Sequence, residues 1–296
     1  MYTAPLNDII RSHGVNAVYY ADDTQIYIVF KRTERDNYIH LLNACIADIR
    51  DWSARNSLSL NDNKTEIIHF TSKFLSDSFL VNIDVGEDRL QPISQARNLG
   101  VIFDQHLTMR EHIKYMCRAA MAAIRCIGQI RSFLSKQATT VLIHAFVTSR
   151  LDSCNSLLSG LPRTDIQRLQ MIQNTAARLV TRTPRFQSIS PILKSLHWLP
   201  VEKRIMFKLC LLTFKALQGT APAYLSNLLS DYNPNRTLRS SSQSLLKTPK
   251  INTEYYGSRS FSYAAPTLWN NLPFNIRQIT NLNSFKTSLK SYLFKL

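Results

Sequence analysis

VNAVYYADDTQIYIVF, residues 15–30, is the stretch whose reading decides the fold. Val15, Ala17 and Tyr19 on the approach, and Ile26, Ile28 and Phe30 on the return, show the period-2 pattern of a half-buried β-hairpin. Asp22 and Asp23 then fall where the chain reverses. Two carboxylates held side by side repel each other. A hard cation such as Mg²⁺, which takes oxygen ligands and keeps water positions for phosphates, relieves that repulsion. The pair therefore suits nucleotidyl transfer, in which metal ions stabilise the attacking and leaving oxygens of an in-line displacement. The competing reading is plain turn chemistry, because Asp also accepts hydrogen bonds from its own local backbone.

Charge separates the chain into two parts. Residues 1–107 hold 10 Lys/Arg against 14 Asp/Glu, a net of −4, whereas residues 108–296 hold 26 against 6, a net of +20. Such a basic excess suits a polyanion, since each phosphate met by Lys or Arg releases condensed counterions. A solvated basic surface and an anionic membrane are the alternatives. There is no uncharged apolar run of membrane-spanning length, and MYTAPLNDII does not read as a signal peptide. The sequence thus predicts a soluble intracellular chain, in the nucleus or cytoplasm, with no membrane partner. Cys45, Cys117, Cys126, Cys154 and Cys210 are odd in number and widely spaced, which predicts reduced thiols. His112, Cys117 and Cys126 lack the short spacing of a zinc site and read as helix residues.

Periodicity outlines an α+β chain. A short helix is expected over residues 1–12, the hairpin to about residue 31, and a long amphipathic helix over 34–56 packed beneath the hairpin. Short strands are expected at 58–60, 65–71, 79–85 and 99–103, in one small antiparallel sheet. Beyond Met109 the pattern turns helical: Ile113, Cys117, Ala120, Ile124 and Ile127 form an apolar stripe, with Lys114, Arg118 and Arg125 on another face. Helices follow over 136–158 and 164–182, the second ending before Pro184. In the helix after Pro200, Ile205, Leu209 and Leu212 point inward and Arg204, Lys208 and Lys215 form a cationic row. Residues 231–253 read as a long exposed loop. The aromatics of the tail, including Tyr256, Trp269, Phe274, Phe285 and Tyr292, suit a core under a basic surface, or stacking against bases.

Several blocks resemble the reverse transcriptases of non-LTR, LINE-type retrotransposons of the jockey, CR1 and L2 group. YYADDTQIYIVF is similar to their catalytic hairpin, RNSLSLNDNKTEIIHF (55–70) to their segment with an Asn and a Lys-Thr pair, and RNLGVIFDQHLTMREHI (97–113) to their primer-grip hairpin. HWLPVEKRIMFK, FKALQGTAPAYLSNLL and YGSRSFSYAAPTLWNNLP resemble their C-terminal region. The resemblance implies a partial palm over 1–107, a helical thumb-like basic region over 108–196, and a basic, aromatic C-terminal region over 197–296. It implies Asp22 as a metal ligand with Asp23 beside it, Mg²⁺ as cofactor, and Lys64 assisting pyrophosphate departure. Tyr20 would pack near the primer terminus, and Leu99, Gly100 and Val101 would form the primer grip. The implied partners are an RNA template and a DNA primer or target, met also by Lys114, Arg118, Arg125, Arg204 and Lys208.

The family places a further metal-binding Asp on a strand upstream of the hairpin, and fingers before that. Here Asp8 is the one acid ahead of Asp22, and it falls in an expected helix. YTAPLNDII resembles the segment that follows the family's nucleotide-binding block, so Met1 is expected to be an internal methionine. The expectation is a polymerase fragment inactive by itself and prone to aggregate through an open sheet edge. The alternative is a non-catalytic nucleic-acid-binding remnant.

Overall fold

The computed structural model describes residues 4–21, 23–72, 83–85, 88–232 and 244–296. They divide into two compact units, Met1–Thr108 and Met109–Leu296.

In the N-terminal unit, Leu6–Ser12 (α1) ends at Gly14, whose φ of 68° lets the chain turn into the first strand. Asn16–Tyr20 (β1) pairs antiparallel with Asp23–Tyr27 (β2), Tyr20 lying opposite Asp23. Arg35–Arg55 (α2) packs beneath this hairpin as expected. Its buried Cys45 and Ile49 meet Leu6, Ile10 and Val15, with Ala17, Tyr19, Ile26 and Ile28 packed around them. Ile83–Val85 (β3) pairs with Asp88–Leu90 (β4) and buries Ile83 against Ile39, Leu42 and Ile46 of α2. Gln95–Asn98 (β5) pairs with Val101–Asp104 (β6).

The one sheet expected from the pattern is three separate two-stranded ladders. Residues 58–60 and 65–71 form no strand. Ser57 takes a φ of 57° and leaves Leu58 and Leu60 exposed. Across 65–71, Ile67 accepts from Ile93 N–H (2.8 Å) and Thr71 N–H donates to Gln105 (3.0 Å), isolated bonds too far apart to make a ladder. Most of the strand expected over 79–85 lies outside the described residues; its end is β3. The strand expected from Leu99 starts at Val101, because Leu99 and Gly100 make the turn.

The C-terminal unit is helical. Arg110–Gln129 (α3) leads to Lys136–Ile143 (α4), which runs through a widened π turn, His144–Thr148, into Ser149–Asp152 (α5). The helix expected over 136–158 breaks there because Cys154 adopts a left-handed φ of 51°. Then come Arg163–Thr181 (α6), Ser190–Ser195 (α7), Val201–Leu217 (α8) and Ala223–Ser226 (α9). Glu254–Gly257 (α10), Phe261–Asn270 (α11), Phe274–Arg277 (α12) and Leu282–Lys295 (α13) complete it. Phe285 stacks on Phe214 with ring centroids 4.3 Å apart and lies 5.9 Å from Trp269, so much of the aromatic tail is core.

Residues 109–296 form one compact unit. The Gln173 side chain donates to Leu199 O (2.8 Å), and Gln170 Oε1 accepts from Val201 N–H (2.8 Å). Arg131 donates to the carbonyls of Leu134, Leu179 and Val180, closing the C-terminal end of α6. The loop expected over 231–253 is only partly a loop. Residues 233–243 lie outside the described residues, but Leu246 is buried, and Asn270 grips its N–H (2.9 Å) and its carbonyl (2.8 Å). Among the described residues no helix is long and apolar enough to cross a membrane.

All five cysteines are free. Burial pushes the Cys210 thiol up to about 12 and raises Cys45 and Cys117 above their ordinary value, while Cys126 and Cys154 are exposed. Since the thiolate is the nucleophile, a thiol-reactive dye at pH 8 should label Cys126 and Cys154 quickly and Cys45 and Cys210 only after unfolding. Quantitative peptide mapping of the labelled chain checks the order.

Candidate metal-binding hairpin and basic helix face

Antiparallel pairing puts opposed residues on one face of the ribbon. Ala17 with Ile26, and Tyr19 with Thr24, occupy the face toward α2. Tyr20 with Asp23, and Val18 with Gln25, therefore occupy the other. Tyr20 is 62% exposed and Asp23 is exposed beside it. Ala21 takes a φ of 54°, the left-handed conformation that a two-residue hairpin connection demands. Asp22 lies outside the described residues. Beneath the ribbon, Tyr19 Oη is buried with no hydrogen-bond partner among the described residues, and burial raises its phenol above the ordinary value.

The outward face is tied to a second turn. Gln25 Nε2 donates to Asn98 Oδ1 at 2.7 Å, linking β2 to the end of β5. Leu99 and Gly100 follow at once with φ of 45° and 83°, two left-handed residues that make a tight reversal into Val101. Leu99 is half exposed and Val101 is buried. No atom of a described residue lies within 4 Å of where a Cβ on Gly100 would stand, so what this glycine serves here is the bend. The fold thus brings the Tyr20–Asp23 pair and the Leu99–Gly100 turn onto linked hairpins. Lys64 closes a short 3₁₀ turn, Asp62–Lys64, held by its N–H to Asn61 O (3.0 Å). It is exposed, and no bond joins it to the hairpin among the described residues.

A carboxylate at an exposed turn is a hard oxygen donor of the kind Mg²⁺ takes, and Asp23 fits that part. Among the described residues no three His, Cys, Asp or Glu side chains come together as a metal cluster. Asp8 lies on α1, a helix and not a strand facing the hairpin.

In the C-terminal unit Lys114, Arg118 and Arg125 stand exposed along α3, opposite the buried Ile113, Met116, Ala120, Ile124 and Ile127. The Lys114 ammonium is shared with Glu111 (3.2 Å), whereas Arg118 and Arg125 make no ion pair with a described residue. Arg204 does not join an outward row. Its guanidinium is largely covered and grips Asp152 bidentately, Nε to Oδ1 at 2.7 Å and Nη2 to Oδ2. Lys208 is half-buried. Arg131 and Arg204, both counted in the basic excess, are thus structural, and only their partners 48 and 52 residues away reveal it.

No protein-family model matches the chain, and no solved structure matches it. The chain is 25% identical over 192 residues to a Drosophila melanogaster protein described as "Probable RNA-directed DNA polymerase from transposon BS". The match covers 63% of this chain and 20% of that protein, so the chain spans about a fifth of the length of the curated relative. The likeness supports the reverse-transcriptase family as the place to look for its kin.

Gln25→Leu removes the donor from Asn98 and should loosen the link between the hairpins by roughly 1 kcal/mol, about a fivefold rise in local opening. Hydrogen–deuterium exchange resolved by peptide should show faster exchange across 95–104 with α2 unchanged.

Proposed function

We propose that the chain carries the metal-binding hairpin of an RNA-directed DNA polymerase of a LINE-type transposable element. The observation that supports this most is the outward pairing of Tyr20 and Asp23 at a tight turn linked through Gln25 and Asn98 to a second tight turn. The Drosophila likeness points to the same chemistry. In this reading Asp22 and Asp23 would hold Mg²⁺, which supplies charge stabilisation for phosphoryl oxygens when bound. Tyr20, exposed beside Asp23, offers a flat ring against which a primer terminus can rest. Leu99 and Gly100 at the exposed turn steady the primer strand, with Val101, buried, anchoring that turn rather than touching the strand, and Lys64 faces the departing pyrophosphate with a positive charge.

Residues 1–296 by themselves are proposed not to polymerise. Two-metal transfer needs a carboxylate wall facing the hairpin, and the one acid ahead of Asp22, Asp8, belongs to α1. Primer extension on an RNA template with Mg²⁺ should show no template-dependent incorporation. Incorporation that vanishes in Asp22→Asn and Asp23→Asn variants would overturn this inertness and establish the hairpin as an active centre.

A second reading, a non-catalytic nucleic-acid-binding chain, is favoured by the exposed Arg118 and Arg125 on α3. Both readings require binding to RNA or DNA through phosphate. Affinity should fall steeply with salt, and Arg118→Glu with Arg125→Glu should flatten the log–log slope by about 1.4, near 0.7 for each single-strand phosphate no longer neutralised. Arg204→Gln should leave the slope unchanged and lower thermal stability instead, since its partner is Asp152. Fluorescence anisotropy with a labelled single strand over a salt series separates the cases.

A further inference from the structure

The two most exposed large apolar side chains among the described residues stand at the same end of one helix. Phe186 is 88% exposed and Phe133 is 87% exposed. Phe186 lies in the connection that leaves α6 for α7, and Phe133 closes the short 3₁₀ turn Arg131–Phe133 that leaves α3 for α4. Both segments are tied to the last turn of α6. Arg131 donates to Leu179 O (2.9 Å) and Val180 O (3.0 Å), and Arg182 Nη2 donates to Arg131 O (3.3 Å). The tip that carries Phe186 is clamped as well, because the Arg178 guanidinium donates to Pro184 O and to Gln187 O, one on each side of that ring. Apolar residues exposed singly are ordinary. Two bare rings on tips fixed to one helix end are not, since a flat ligand landing on them has little ordering left to impose.

Charge around the tips selects the ligand. Residues 112–151 hold six Lys/Arg and residues 166–201 hold five, with no Asp or Glu in either stretch. Of these cations Lys136, Arg182 and Arg185 are exposed within four residues of one ring or the other. The free carbonyls of a helix C-terminus would repel phosphate, but Arg131 covers those of Leu179 and Val180. A phenyl face accepts any base, and cations beside it hold the phosphates, which is the composition of a platform for single strands. A membrane anchor asks instead for a continuous apolar face, whereas Ser132 and Ser135 flank one ring and Gln187 and Ser188 follow the other. We propose that this end of α6 is a stacking platform for an unpaired nucleic-acid strand, RNA or DNA. Phe133 and Phe186 each receive a base, and Lys136, Arg182 and Arg185 meet the phosphates. The proposal rests on the reading that the chain binds nucleic acid, and adds that unpaired bases are taken up through residues outside α3.

The test uses the full chain with Phe133→Leu, Phe186→Leu, Phe186→Trp and Arg185→Gln variants. Labelled oligouridylate and oligothymidylate of about ten nucleotides and a blunt hairpin duplex are titrated by fluorescence anisotropy over a salt series, with phosphatidylserine-containing vesicles as a further arm. Each Phe→Leu variant should bind both single strands at least fivefold more weakly, with the salt slope and the melting temperature unchanged, because a ring and not a charge is lost from the surface. Duplex binding should stay as it was, since paired bases are already stacked. Arg185→Gln should instead flatten the slope by about 0.7. Phe186→Trp should restore the affinity, and its added indole emission should be quenched by the strand. A stronger effect on the RNA or on the DNA strand identifies the natural one, and either supports the platform. Strand binding that persists undiminished in both Phe→Leu variants overturns the platform and leaves nucleic-acid binding standing. Absence of any strand binding at low salt sinks that broader reading and the platform with it. Loss of vesicle binding in the Phe→Leu variants, with strand binding intact, assigns the rings to a membrane surface and overturns the proposal.

Discussion

Burial of one face of a two-stranded ribbon against α2 is the constraint on which the hairpin depends. A lone hairpin is marginal in water. Here β1 and β2 place Ala17, Tyr19 and Ile26 against a helix that contributes Cys45 and Ile49. Each large apolar side chain fully removed from water is worth about 1.5–3 kcal/mol. Because side chains alternate, seating these residues inward leaves no freedom for their neighbours: Tyr20 and Asp23 must face out. A one-residue slip would turn Asp23 to the α2 side and Ile26 to the outer one, so the register that hides the apolar face is also the register that shows the acid. The outward face is steadied in turn by Gln25, whose amide reaches a strand that the hairpin does not touch through its own ladder.

The C-terminal unit sorts its cations by what they meet. Arg131 is taken up by three carbonyls, two of them at the end of α6. Asp165, only 2% exposed, is flanked by Arg110 (3.5 Å) and Arg168 (3.7 Å), and Asp152 takes Arg204. Net charge therefore overstates the surface available to a polyanion. The residues left on the outside of α3 are the ones whose spacing keeps them away from its apolar stripe.

What the sequence makes legible follows from how far each signal reaches. Helical periodicity is local, and it places α2 at 35–55 against an expected 34–56, and α6 at 163–181 against 164–182. The hairpin is equally local, and its alternation identifies both its faces. Strands that need a distant partner are not legible in the same way. TEIIHFT is rich in β-branched and aromatic residues but finds no continuous ladder, while QARN, with no β-branched or aromatic residue, forms β5 because β6 lies two residues beyond it. Leu246 stands in a polar stretch that reads as loop, and its anchors, Asn270 24 residues on and the backbone of Ser230–Tyr232, carry no local pattern that announces them. The bond between Gln25 and Asn98 spans 73 residues, and neither amide carries a pattern that announces it.

Arginine within this one unit shows why context and not residue type decides a role. Arg131 and Arg204 are both withdrawn from solvent, and each brings with it the acceptors that make withdrawal tolerable, carbonyls in one case and a carboxylate in the other. Arg277 is as buried as Arg131, and its Nε and Nη1 have neither among the described residues. Desolvating a guanidinium without acceptors is strongly destabilising, and a methionine or leucine at that position would avoid the cost. The surrounding core does not demand the charge: Leu272, Ile276 and Phe285 pack through apolar side chains alone, and the Trp269 indole N–H already donates to Ser244 O (3.1 Å).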